Sequence, residues 1–176
     1  MQSNISKSDI KDINEIQALY FEAFTDEARE VANVAKDIVA YPKSSEVVSL
    51  VYKINQMLLG HIAFSQVRSN NNEDFKVFIL APLVVKKSHQ REGIGSLLVH
   101  EGINQLKAID VDAICVYGNP EYYSKFGFNR DIADTFIPPY KITHPHGWQV
   151  RFLSDKSLDS EYKFRCLDFL NKRSLW

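Results

Sequence analysis

Val85-Lys86-Lys87-Ser88-His89-Gln90-Arg91-Glu92-Gly93-Ile94-Gly95-Ser96 leaves a long apolar run, crosses a polar turn and enters a segment with helical spacing of apolar residues. Glycines 93 and 95 carry no Cβ, so backbone N–H groups beside them can approach a bulky anion. A helix N-terminus adds unpaired donors and a partial positive charge, which suits a phosphate or pyrophosphate. Lys86, Lys87 and Arg91 stand around the same turn. Taken alone, Gly-x-Gly at a helix start is equally a tight turn. Two better-known phosphate signatures fit poorly. A dinucleotide fingerprint wants a third small residue where Leu98 stands, and a P-loop wants Gly-Lys-Ser/Thr, which is absent.

Residues 75–86 before the turn read as a long strand. Residues 93–109 after it read as a helix with Ile94, Leu97, Leu98, Val99, Ile103 and Leu106 on a broad apolar face. A short buried-type strand follows at 113–117 and a short helix at 120–126. The strand–helix–strand unit predicts a right-handed parallel crossover, with ligand binding where strand ends and the helix N-terminus converge, at residues 90–96. Upstream, Ser8-Asp9 starts a helix carrying Ile10, Ile13, Ile16, Tyr20 and Phe24 at helical spacing. A second helix is expected over 26–40, with Val31, Val34, Ala35, Ile38 and Val39 apolar and Pro42 as its stop. Strands at 47–54 and 57–67 flank Asn55-Gln56, a hairpin joint with a weaker turn signal than Asn-Gly. Residues 69–74 form a polar loop, and further strands are expected at 136–142 and 148–153. Tyr162, Phe164, Leu167, Phe169 and Leu170 make the tail 158–176 a short amphipathic helix or covering strand, in the core or at a dimer contact. The end from Lys172 to Trp176 reads most simply as a docked terminus. This order implies an α/β fold, a mixed sheet with helices on both faces. Without a repeat or linker, 1–176 reads as one domain.

The 176 residues are 45% hydrophobic and 24% charged with a net charge of −1, ordinary for a soluble globular chain and without a global basic field for nucleic acid or anionic membrane. Met1-Gln2-Ser3-Asn4 shows no signal pattern. The longest apolar stretch, 77–85, contains Pro82 and is too short to cross a bilayer as a helix. The expected location is the cytoplasm, with no membrane partner. Cys115 and Cys166 lack C-x-x-C spacing and read as reduced thiols in or near the core.

Residues 85–95 resemble the acetyl-CoA signature of the GNAT superfamily of N-acetyltransferases. Its core, Gln/Arg-x-x-Gly-x-Gly/Ala after a long strand, is matched in spacing by Gln90, Gly93 and Gly95. Lys87 stands where many members have proline, a turn residue without a chemical role. A second stretch, Asn119-Pro120-Glu121-Tyr122-Tyr123-Ser124-Lys125-Phe126-Gly127-Phe128, resembles the family's Tyr-x-x-x-Gly-Phe element. It is most similar to the branch reading Asp/Asn-Pro-x-Tyr-Tyr-x-x-Phe-Gly-Phe. The two motifs together cover about residues 75–128. The resemblance implies a GNAT-like fold with acceptor-side helices at 8–41 and closing strands and tail at 136–176. It also implies an enzyme that moves the acetyl group of acetyl-CoA, as co-substrate, to an amine of a small molecule or peptide by direct attack.

The resemblance further implies a V-shaped opening for acetyl-CoA between the strand ending at Val85 and the strand 113–117. Backbone groups of Leu83, Val84 and Val85 would pair with the pantetheine arm. The turn from Gln90 would cradle the pyrophosphate with the amides of Arg91, Glu92, Gly93, Ile94, Gly95 and Ser96. Asn119 would contact the cofactor arm and Phe126 would pack against it. The attacking amine must first lose a proton, because an alkylamine is mostly protonated at neutral pH, and the leaving thiolate must be stabilised or protonated. A tyrosine hydroxyl stays protonated at neutral pH and can donate to that thiolate. By its spacing from Gly127-Phe128, Tyr123 matches the family's general acid. No base stands out: Glu22, Glu73, Asp74, His144, His146 and a water chain are all open.

His144 and His146 can face the same way in an extended segment, yet no third ligand lies nearby in sequence, so no metal is expected. The loop 143–148 reads instead as an edge of the acceptor pocket. A non-catalytic acyl-CoA-binding sensor or interaction module is the alternative from another class. Acetylation of aminoacyl-tRNA or a ribosomal protein is a third, against which the near-neutral charge and the lack of a Lys/Arg-rich segment count. Many similar proteins are dimers, which leaves a homodimer open.

Overall fold

A computed structural model describes residues 4–24 and 28–176. The chain forms two compact units, one running up to Phe64 together with Pro82–Gln105, the other Ser65–Ala81 together with Leu106–Trp176.

The first unit opens with a strand that the sequence pattern did not announce, β1 (Ile5–Lys7), antiparallel to β2 (Val47–Ile54) through Ser6↔Val51. Three residues are too few to show a period of two. Asp9 then caps a single 3₁₀ turn at Ile10–Asp12 with a reciprocal capping box, and α1 (Ile13–Ala23) continues from it. The second helix, α2 (Ala28–Val39), matches the expected segment; the first residues of that expectation, Asp26 and Glu27, lie outside the described ones. Ile16, Leu19 and Tyr20 of α1 meet Ala32 and Ala35 of α2 around Val51, Leu58 and Val84, forming one buried cluster. The hairpin is present: Asn55 and Gln56 take φ of 49° and 67°, the left-handed pair that a two-residue joint requires. It leads into β3 (Met57–Ser69), two residues longer than expected.

Within this unit the neighbours run β1-β2-β3-β4, where β4 is Val77–Val85. Odd and even residues of β3 face opposite sides, as a strand demands. His61 meets Tyr20 of α1. On the other side Leu98 of α3 (Ile94–Ala108) stands 2.9 Å from where a Cβ on Gly60 would be. Helices therefore cover both faces here. On α3, Ile94, Leu98, Val99, Ile103 and Leu106 are buried, but Leu97 is 49% exposed, because it falls at the margin of the apolar stripe.

The second unit follows β3-β4-β5-β7, with β5 at Ala113–Tyr117 and β7 at Trp148–Phe152. β4 and β5 are parallel, and β7 returns antiparallel to β5 from Ala113↔Phe152 to Tyr117↔Trp148. The mixed sheet is thus as the element order requires. A short helix, α4 (Pro120–Tyr123), runs into a 3₁₀ turn at Ser124–Phe126. The strand expected over 136–142 is cut to β6 (Phe136–Ile137), because Pro138-Pro139 cannot donate to a ladder. The tail supplies a covering strand, β8 (Tyr162–Arg165), which pairs with β3 and β6. Phe75, Phe136, Phe152 and Tyr162 interlock with ring centroids 5.6–6.4 Å apart. Asp112 ties this unit's strand ends, accepting from Lys76 N at 2.8 Å, Ser154 Oγ at 2.7 Å and Lys156 Nζ at 3.0 Å. No helix among the described residues is long and apolar enough to cross a membrane.

Candidate functional site

In the first unit the residues singled out by the sequence gather at the turn between β4 and α3. β4 pairs with β5 only as far as Leu80↔Val116, yet it runs on to Val85. Leu83, Val84 and Val85 lie beyond the last pair; Leu83 and Val85 are half-buried and Val84 is buried. Lys86 N donates to Leu59 O at 2.8 Å, which fixes where the strand ends. One 3₁₀ turn, Lys87–His89, follows. Gln90 then folds back, its Nε2 donating to Val85 O at 3.2 Å, so the side chain braces the turn.

Arg91 and Gly93 both take left-handed backbone, with φ of 66° and 86°. Gly93 faces open space, with nothing within 4 Å of where a Cβ would stand, so its requirement is conformational rather than steric. The first bond into α3 runs from Leu97 N to Gly93 O at 3.0 Å. The amides ahead of it, from Arg91 to Ser96, are the orphan donors of a helix start. Gln90, Arg91, Glu92 and Gly93 are exposed, Gly95 and Ser96 half-buried, and Ile94 points its side chain into the core. Free amides, a dipole's positive end and the exposed cations Lys87 and Arg91 make a cradle that fits a pyrophosphate.

The second unit carries the other residues singled out by the sequence, Asn119, Tyr123 and Phe126. Asn119 caps α4: its Oδ1 accepts from Glu121 N at 2.9 Å, so the side chain is engaged in holding the helix start. Phe126 is 4% exposed and meets the Tyr122 ring at 5.2 Å. Tyr123 is 9% exposed, edge-on to Phe128 at 5.7 Å. Its hydroxyl makes no hydrogen bond among the described residues. Among the described residues the fully sealed polar atoms lacking a partner are Ser65 Oγ and Asn72 Nδ2, and the Tyr123 hydroxyl is not one of them. Burial, and after it the neighbouring Tyr122, lifts the Tyr123 pKa above the ordinary phenol value and keeps it protonated.

The loop carrying the two histidines abuts the end of β5. His144 N donates to Tyr117 Oη at 2.8 Å, and Gly118 N donates to Gly147 O at 2.9 Å. Trp148 anchors it, its Nε1 shared between Ala133 O and Phe136 O at 3.2 and 3.0 Å. The tail pins it further: Thr143 Oγ1 donates to Trp176 O at 2.7 Å, and Tyr140 Oη donates to Asn171 O at 3.0 Å. Beside it opens a cavity of about 300 Å³ lined by Arg130, Asp131, Asp134, Phe136, Ile137 and Trp148, among others. Among the described residues no group of three His, Cys, Asp or Glu side chains could hold a metal ion. Glu22, Glu73, Asp74, His144 and His146 are all exposed, which singles out none of them as a base.

Sequence reasoning missed a polar chain in the first unit that runs from half-buried serines to the buried His61 and Tyr20. Ser8 Oγ donates to Ser49 Oγ at 2.7 Å, Ser49 Oγ lies 2.9 Å from His61 Nε2, and His61 Nδ1 lies 2.8 Å from Tyr20 Oη. Burial drives the His61 pKa down to about 3, opposed by the charge of Asp12, so the imidazole is neutral at physiological pH. The available signal was one polar residue inside the apolar run Met57-Leu58-Leu59-Gly60-His61-Ile62-Ala63-Phe64.

Residues 10–128 match the family model of the acetyltransferase (GNAT) family. The chain is 31% identical over 166 residues to the uncharacterized N-acetyltransferase YjhQ of Escherichia coli K12, covering 92% of this chain and 89% of that one. Its fold is similar to the crystal structure of Escherichia coli YhbS in complex with CoA, with a TM-score of 0.81 and 24% identity over 96% of this chain and 91% of that one. It is also similar to a GNAT acetyltransferase of Brucella melitensis solved with acetyl-CoA, with a TM-score of 0.67 and 25% identity over 89% and 91% of the two chains.

Proposed function

Because the chain belongs to the acetyltransferase (GNAT) family and is an acetyl-CoA-dependent N-acetyltransferase, we propose that it acetylates an amine of a small molecule or peptide in the cytoplasm, by direct attack, with Tyr123 as general acid. CoA bound to YhbS and acetyl-CoA bound to the Brucella protein support the same donor here.

The observation that carries this reading is the state of Tyr123: a buried, packed ring whose hydroxyl is protonated and unpartnered among the described residues. A phenol held in this way costs nothing to release from a competing hydrogen bond when a thiolate develops beside it. The amides of the turn from Arg91 to Ser96 take the pyrophosphate, with Gln90 bracing the turn from behind. Leu83, Val84 and Val85 offer backbone groups to the pantetheine arm. Asn119, which caps α4, is read as contacting the pantetheine arm, and Phe126 of the following turn as packing against it.

In the chemical step the neutral amine nitrogen bonds to the thioester carbonyl carbon, the C–S bond breaks, and Tyr123 Oη–H donates to the departing sulfur. The proton lost by the amine nitrogen leaves through solvent. A phenol is a weaker acid than the thiol it serves, so its contribution is a short hydrogen bond that strengthens as charge develops.

Thiol release from acetyl-CoA over a panel of polyamines, amino acids, aminoglycosides and N-terminal peptides tests the proposal. An amine-dependent rate with an acetylated product supports it. Acetyl-CoA binding with no turnover on any amine would instead make the protein an acyl-CoA sensor.

A further inference from the structure

The helix that carries Tyr123 is too short to hold itself. α4 spans four residues and the 3₁₀ turn after it three, far below the length at which an isolated helix persists. Its carbonyls at the far end are orphans that need outside donors. At the near end Asn119 supplies the cap. At the far end the donor is Arg151 of β7, whose Nη1 donates to Phe126 O. The guanidinium also lies against Gly127, with its Nε 3.7 Å from where a Cβ on that residue would stand. Arg151 is itself fixed, since its backbone pairs with Ile114 of β5. Among the described residues it has no carboxylate partner; its hydrogen bond goes to α4's terminal turn.

Resting on the assignment of Tyr123 as general acid, we propose that Arg151 is a positioning residue for that acid. By holding Phe126 O it fixes the end of the turn on the β5–β7 ladder, and so fixes the angle at which Tyr123 presents its hydroxyl. A phenol oxygen stands about 6.5 Å from its Cα, so a tilt of about 10° in the turn moves it by about 1 Å, enough to cost a large factor in rate. Lysine would not replace arginine here, because a single ammonium on a flexible stem does not reproduce a planar fork lying along the peptide.

The test is a double-mutant cycle on thiol release from acetyl-CoA, using the panel amine with the highest rate, or acetyl-CoA hydrolysis if water is the only acceptor turned over. R151M is expected to lower kcat by about tenfold to a hundredfold, with the KM for acetyl-CoA changed less than about threefold. In a Y123F background the same substitution is expected to change kcat less than about twofold, because the group it positions is gone. R151K is expected to fall between R151M and the unsubstituted protein, and it carries the test if R151M lowers Tm enough to compromise folding. Equal losses from Arg151 substitution in both backgrounds would overturn the proposal while leaving Tyr123 as the acid. No loss from Y123F alone would overturn the assignment of Tyr123, and the role of Arg151 with it.

Discussion

The edge of the Tyr123 ring comes so close to Gly118 that a Cβ at position 118 would stand 2.6 Å from its Cε2 and 3.2 Å from its Cδ2. Gly118, the first residue after β5, therefore leaves the room that the ring of the proposed acid occupies, and any side chain there must push the ring aside. G118A is expected to lower kcat by about tenfold or more while leaving acetyl-CoA affinity within a few-fold. Steady-state kinetics beside calorimetric titration separates the two. A KM effect with kcat unchanged would place this contact outside the chemistry.

Gly93 poses the opposite problem, an open surface with a left-handed backbone at φ 86°. G93A meets no atom but must hold a conformation that costs an L-residue about 1–2 kcal/mol. The expected outcome is a modest fall in Tm together with a clear loss of acetyl-CoA affinity, since relaxing the turn re-aims its amides. Thermal unfolding and CoA titration read both. Unchanged affinity would remove this turn from the pyrophosphate site.

His61 makes the fold sensitive to acid. Its folded pKa of about 3 lies below the ordinary 6.5, so the unfolded chain takes up a proton first as pH falls. Stability should then drop by up to about 1.4 kcal/mol per pH unit between pH 6.5 and 3. Asp12 and Asp112 act in the same direction, but only near and below their ordinary 3.8. Burial would raise both; for Asp12, hydrogen bonds from Lys53 and the Asp9 backbone outweigh it, and for Asp112 those from the Lys76 backbone, Ser154 and Lys156 do. The range between about pH 4.5 and 6.5 thus isolates the histidine. Urea unfolding across that range should show the slope, and H61Q should flatten it. An unchanged slope in H61Q would show that the histidine is not its source.

Both cysteines are buried, and burial lifts the Cys166 pKa to about 12 and that of Cys115 well above its ordinary value. Neither should present a thiolate to a disulfide reagent in the native state. Ellman titration is expected to find almost no fast-reacting thiol in native protein and both in denaturant. That also leaves thiol-release assays free of background. A fast native thiol would contradict the burial of these strands.

The elements that the sequence revealed are those whose period survives burial. β2 and β5 fall on their expected residues, and α3 and β4 lie within a residue or two of theirs. Where local chemistry competes with apolar pattern, the pattern misled: Phe136 to Ile142 looks like a strand until Pro138-Pro139 removes two donors. The turn between β4 and α3 was legible as a turn into a helix because its glycines and its helix start are local features. Arg151 was not, since an arginine on an alternating strand looks like a solvated charge until the chain brings Phe126 O to it. His61 was hidden for the same reason, as its partners lie 12 and 41 residues away.

The central claim is that this acetyltransferase releases its thiol with help from Tyr123. The most direct measurement is kcat for Y123F against the unsubstituted protein, on the best amine of the panel, with folding matched by Tm and CoA affinity by titration. A fall in kcat of about a hundredfold with unchanged CoA binding is the predicted result. Equal kcat in the two proteins would contradict it.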